Sequence, residues 1–268
     1  MERWSRHSIL ILGTTYPAYS SKYTEVACTG GLREDTCEMV RLHPIPHRYL
    51  ESDQRFKSFQ WITADLTDHS SDPRPESLRV RPDSIELGSM IPSTRSAERV
   101  NLLERSPHLM ASVEELKNRQ KQDGTSLAII KPKEILGCKL ETRSAAARQE
   151  WEQKEKDILS QRDLFGNDLK PIDFPETRFK VSWRCDDPAC QKPHDMAIHK
   201  WGLHELNRKY RGRAEREEVV LAAMNKQLDL ENRDVYLFLG SYRGLMYNFG
   251  LMDSYSAPRI RQTSLDLG

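Results

Sequence analysis

No apolar run in these 268 residues approaches the ~20 residues a helix needs to cross a bilayer. Met1 to His7 is followed by only four clearly apolar residues, so neither a membrane span nor a recognisable export signal is expected. Cysteine is sparse. Cys28, Cys37, Cys138, Cys185 and Cys190 are odd in number and scattered, which argues against a disulfide framework and for a reducing, cytoplasmic setting. An excess of one charge is also missing. With 41 Lys and Arg against 40 Asp and Glu the net charge is +1, so contact with nucleic acid has to come from local patches. Candidates are Arg33, Arg41, His43, His47 and Arg48, the stretch Arg74 to Arg81, and Lys200 to Arg216, although a solvated face is the commoner use of such clusters. GxGxxG, P-loop, HExxH, GxSxG and kinase signatures are absent, which leaves cofactor-dependent redox chemistry, nucleotide hydrolysis and the common hydrolases without support. No internal repeat of useful period is found.

What is present begins with Ile9 to Leu12, a short apolar run closed by Gly13 and followed by the hydroxyl-rich, aromatic stretch Thr14 to Tyr23. Glu25 to Leu32 and Glu38 to His43 bracket a polar turn and read as a hairpin. His43-Pro44-Ile45-Pro46 is expected to end pairing, because proline has no N–H to donate. Further short strands are expected at Phe59 to Leu66, Ser77 to Val80 and Ser84 to Leu87. Helical spacing covers Ser93 to Glu104 and Ala111 to Gln122, with Asp123-Gly124 as the stop. A strand pair, Ser126 to Lys131 with Glu134 to Leu140, and a charged helix, Ser144 to Ser160, come next. The last third offers a strand at Arg178 to Arg184, helices at Ala197 to Tyr210 and Ala214 to Leu228, and Val235 to Gly240 paired with Met246 to Met252. The fold expected is α+β: curved sheets or an oligonucleotide-binding-like barrel at 1–92, a helical middle with a strand pair at 93–165, a linker at 166–177, an α+β unit at 178–253 and a frayed tail at 254–268. One continuous domain is the alternative.

Three constellations carry chemistry. Cys185, Cys190, His194 and His199 offer two thiolates and two imidazoles for a structural zinc, against a metal-free cysteine pair with exposed histidines. Gln161-Arg162-Asp163-Leu164-Phe165 is similar to the short peptide with which bacterial repair and replication proteins dock on the sliding clamp, Gln161, Leu164 and Phe165 being the anchors and Arg162 a departure from the usual leucine. Asp72-Pro73-Arg74-Pro75-Glu76 is a carboxylate–guanidinium–carboxylate run stiffened by prolines. It suits a site or a loop pinned by its own ion pair.

KYTEVACTGGL, VRLHPIPHRYL, SDPRPESLR, SLAIIKPKEIL, QRDLF and DVYLFLG together resemble a family of bacterial phage-defence proteins over nearly the full length. The functional match the resemblance offers is the anti-phage DNA glycosylases that remove α-glucosylated hydroxymethylcytosine. CTGG with VRLHP also resembles the hairpin of proteins built from two oligonucleotide-binding barrels. LGTTYP and HPIP are similar to loops of uracil-DNA glycosylases, but HPIP stands early here and no catalytic residue is transferred from them. A glycosylase extrudes its nucleotide and assists attack at the anomeric carbon. Residue type and loop placement nominate Asp72 or Glu76 as the carboxylate, with Glu25 and Asp65 next. Lys22 is the amine or phosphate contact, Tyr16 and Tyr23 are stacking surfaces, and Arg41 and Arg74 are DNA contacts. No cofactor is required by that chemistry. The rival readings are a non-enzymatic oligonucleotide or modified-base sensor, and an RNA-acting protein.

Overall fold

Ile9-Leu10-Ile11-Leu12 is apolar without alternation because both faces of its strand are buried. Ile9 and Ile11 point into one core while Leu10 and Leu12 point into another, as the two-residue period of a strand requires. The computed structural model describes residues 3–162, 170–242 and 244–259. The first strand, β1 (Ser5–Thr14), is followed by β2 (Ala18–Ser20), β3 (Thr24–Arg33), β4 (Met39–Ile45), β5 (Gln60–Asp68), β6 (Ser77–Val80) and β7 (Glu86–Met90). Pairing runs β1-β3-β4-β6-β5, and β5 returns to pair with β1. All pairings in this ring are antiparallel except β4 with β6. A closed five-stranded Greek key with that one parallel pair has the connectivity of the oligonucleotide-binding barrel.

The second half repeats it. After α1 (Ser96–Glu104), β8 (Leu109–Met110) and α2 (Val113–Asp123) come β9 (Leu127–Ile130), β10 (Pro132–Thr142), α3 (Ala145–Arg162), β11 (Thr177–Cys185), β12 (His194–Ile198), α4 (Trp201–Lys209), α5 (Arg216–Gln227), β13 (Arg233–Tyr242) and β14 (Leu245–Pro258). The order is β10-β11-β12-β14-β13-β9, with β12 and β14 parallel. Only Lys131 separates β9 from β10. These two segments therefore act as one bent first strand that bonds to opposite ends of the sheet and curls it into a second barrel.

The two barrels share a core. Leu10, Leu12, Leu127, Ile129, Tyr236 and Phe238 meet in one buried cluster, while Ala128, Ile130, Leu237 and Leu239 from the same strands fill the second barrel. Each large apolar side chain so buried contributes about 1.5–3 kcal/mol. Gly13 permits the approach, since a Cβ there would run into Asp253 of β14. Asp253 is held by Lys200 at 2.6 Å.

Several expectations are corrected. β4 continues through Pro44: Ala27 pairs with Ile45, and a register shift between Ala27 and Thr29 absorbs the missing donor. The segments 126–131 and 134–140 do not pair with each other but with β13 and β11. Residues 93–165 therefore divide between the connection from one barrel to the next and the second barrel's first strand. His194 to Ile198 is a strand, so the helix expected from Ala197 starts at Trp201. The chain is paired to Pro258 rather than frayed from Ser254, because Ser254 and Ser256 are buried and Arg233 bonds the Ser256 hydroxyl and carbonyl. Among the described residues no helix is long and apolar enough to cross a membrane.

Candidate functional site

A cavity of about 910 Å³ lies between the barrels. The first barrel lines it with the β1–β3 connection from Thr15 to Tyr23, with Cys28, Arg41 and His43 from the adjoining strands β3 and β4, and with Arg74 from the β5–β6 connection. The second barrel supplies His199, at the end of β12, and Tyr242, at the end of β13. Lys154, Asp157 and Ile158 of α3 complete the wall. Strands two and three with the two flanking loops are the surface by which such barrels take oligonucleotides. Glycine keeps the space open: a Cβ on Gly240 would meet Met252 Sδ at 2.8 Å, and one on Gly250 would collide with the Tyr242 hydroxyl.

The described lining holds four cationic side chains, Lys22, Arg41, Arg74 and Lys154, against one carboxylate, Asp157. Arg41 is fully buried and donates to Ser77 Oγ and Ser126 Oγ, each at 3.0 Å. Burial, then the charge of Arg74, pulls it down to about 10. Ser126 Oγ passes the contact on, donating to Glu76 at 2.7 Å, while the N–H groups of Ser126 and Leu127 bind the same carboxylate at 2.6 and 3.2 Å. Glu76 thus belongs to a clamp between barrels. It is not in the described cavity lining. Asp72 takes Arg74 through both oxygens at 2.8 and 2.6 Å, and Arg74 donates onward to Ser241 O at 2.7 Å. Burial opposes ionisation of Asp72, but the Arg74 guanidinium outweighs it and holds the carboxyl well below the usual range.

Of the other residues nominated from sequence, Lys22 and Tyr23 line the cavity, with the ammonium 5.0 Å from the Tyr23 ring centre. Tyr16 lines it as well, stacked on His204 at 4.4 Å. Glu25 is buried beside Arg48 at 3.3 Å, and Asp65 pairs with Arg6 and Arg81; neither is in the described lining. Leu164 and Phe165 lie outside the described residues, as does the side chain of Gln161. Cys185, Cys190 and His194 come together, but His199 does not join them. Histidines five apart along a strand end on opposite faces, and His199 Nε2 instead meets the Tyr242 hydroxyl at 2.7 Å.

Sequence reasoning missed the cavity roles of His43 and Tyr242, and it also missed Arg143 and Arg178. His43 is pulled down to about 4 by burial, then by His69 and Arg74. His199 reaches about 4 through burial, then Arg143 and Arg178. Both rings are neutral at neutral pH. His199 and Tyr242 also border a groove of about 700 Å³ on the outer face of β11 and β12. It is lined by Arg143, Arg178, Lys117 and Lys180 together with Asp195, Lys180 pairing with Asp195 and Glu141 and Lys117 with Glu114, and Leu245 and Tyr247 are exposed at its rim. Burial and the neighbouring Arg178 pull Arg143 below its ordinary value. Its buried Nε has no hydrogen-bond partner among the described residues. The alternation of Arg178 and Lys180 with buried Phe179 and Val181 is the signal that places both cations on the outer face.

Residues 5–105 match a family described as domain of unknown function DUF8758, and residues 109–266 match another, DUF8757, that spans more than half of the chain. The chain belongs to the DUF8757 family. The division between the two matches falls at 105–109, in the connection between the barrels. No curated protein matches. Among solved structures, the crystal structure of the p204 HINb domain is similar at 12% identity and a TM-score of 0.33, covering 96% of this chain and 98% of that one.

Proposed function

We propose that this chain is a nucleic-acid-binding module in which the groove on the second barrel holds the phosphates of a strand and the inter-barrel cavity receives one unstacked nucleotide. The observation that carries the reading is Arg143 in the groove, whose buried Nε has no hydrogen-bond partner among the described residues, with Arg178 beside it and both charges acting on His199, which borders cavity and groove alike. A guanidinium held without a partner is suited to a phosphate. Tyr247 at the rim and Tyr16, Tyr23 and Tyr242 within supply faces on which bases stack, at about 1–3 kcal/mol per base. The cavity volume falls within the ~300–1,000 Å³ of pockets that enclose small ligands, enough for a base carrying a bulky substituent.

Resemblance to the anti-phage glycosylases makes glucosylated hydroxymethylcytosine the first modified base to try. Catalysis by Asp72 or Glu76 has no support from their positions, because the hydrogen bonds of both carboxylates are spent on protein donors. Incubation with glucosylated phage DNA, followed by an abasic-site assay and a mobility-shift assay, tests the reading. Retention of the DNA with no base release is the expected result. Accumulation of abasic sites would replace the binding module with an enzyme, and absence of any interaction with this DNA or with unmodified single strands would remove both.

A further inference from the structure

Cys185, Cys190 and His194 form a separate cluster. Cys185 ends β11, His194 opens β12, and Cys190 stands in the turn between them. The Cys190 sulfur lies 2.9 Å from His194 Nε2 and the Cys185 sulfur 3.3 Å from it, with all three donor atoms within 4.8 Å of one another. A tetrahedral zinc with Zn–S of about 2.3 Å and Zn–N of about 2.0–2.1 Å separates sulfur from nitrogen by roughly 3.6 Å. Insertion of the ion therefore needs side-chain shifts below about 1 Å. Two further contacts suit a metal ligand. Val113 N–H, at the first turn of α2, donates to the Cys185 sulfur at 3.4 Å and so fixes its position. The His194 ring packs on Trp183 with centroids 4.8 Å apart, which fixes its aim.

We propose that Cys185, Cys190 and His194 bind a zinc ion through three protein donors, leaving the fourth position to water. The ion closes the turn 186–193 between β11 and β12, at the point where Cys185 meets the start of α2 through Val113. His194 also lines the groove. The metal therefore lies at one end of the surface assigned to phosphates, yet its presence does not depend on that assignment.

Two measurements test the proposal on the full chain purified under reducing conditions. Elemental analysis is expected to find about one zinc per chain, lost in Cys190→Ser and in His194→Ala. Cobalt(II) added to metal-stripped protein is expected to give the intense thiolate-to-cobalt absorption of a two-sulfur site. The cobalt spectrum decides the matter even if the variants do not fold. Absence of zinc together with absence of that absorption overturns the proposal.

Discussion

Glu76→Ala is expected to destabilise the fold by about 3–5 kcal/mol, the loss typical of breaking a buried charge network by removing one partner. The carboxylate accepts from the Ser126 N–H and hydroxyl and from the Leu127 N–H. His108 stands 3.7 Å away, and its Nδ1 already accepts from Met39 N–H at 3.1 Å, which leaves the proton on Nε2, toward Glu76. Removing the carboxylate strands these buried donors and takes away the negative charge that faces Arg41 through Ser126. Glu76→Gln keeps one acceptor and is expected to lose about 1–3 kcal/mol. Urea unfolding at neutral pH measures both, and a loss below about 1 kcal/mol for the alanine variant would show that the clamp contributes little. The pH dependence has a fixed sign. Burial raises the Glu76 carboxyl, but the nearby His108 and the Ser126 hydrogen bonds prevail and hold it below its ordinary 4.5. Its stabilisation is therefore complete above that value and is lost as pH falls through the lower, folded one. Glu76→Gln should be less sensitive to acid than the parent.

The Arg143→Ala, Arg178→Ala double variant is expected to weaken binding of a single-stranded oligonucleotide by at least ~10-fold, the scale of one or two arginine–phosphate interactions. The dependence of log K on log salt should become shallower by about 0.7 for each phosphate no longer neutralised. Folding stability should hold or rise, because burial penalises the charge of Arg143, whose buried Nε has no hydrogen-bond partner among the described residues. A surface ion pair would give the opposite signature, a small loss of stability and no change in the salt slope. Fluorescence anisotropy across a salt series, with thermal melts alongside, separates the two.

The barrel topology is partly legible in the sequence and the site less so. Hairpin β3–β4 and the partners β13 and β14 follow from alternation and turn residues, which are local signals. The bent strand β9–β10 reads as a hairpin because Pro132 marks a bend equally well for a chain that turns back and for one that crosses to the other end of its sheet. Continuous apolar runs such as Ile9 to Leu12 and Val235 to Leu239 are strands buried on both faces, and that feature is the trace a second barrel packed on the first leaves in the sequence. Arg41 and Arg74 are nominated from basic clusters and Lys22, Tyr16 and Tyr23 by residue type and loop position, and each lines the cavity. Asp72 and Glu76 are nominated on the same grounds, but the network around them closes through residues distant in sequence: Ser126 is 50 residues from Glu76, and Ser241 is 167 from Arg74. Nothing local tells a carboxylate that faces a cavity from one that holds two barrels together.

The most direct measurement of the central claim is photocrosslinking of a single-stranded DNA bearing 5-iodouracil at one position, with adducts mapped by mass spectrometry. The account predicts adducts in the segments 15–28 and 240–252, at Tyr16, Tyr19, Tyr23 or Tyr242. Adducts confined to other faces of the barrels, such as that carrying Trp4 and Trp61, would contradict it.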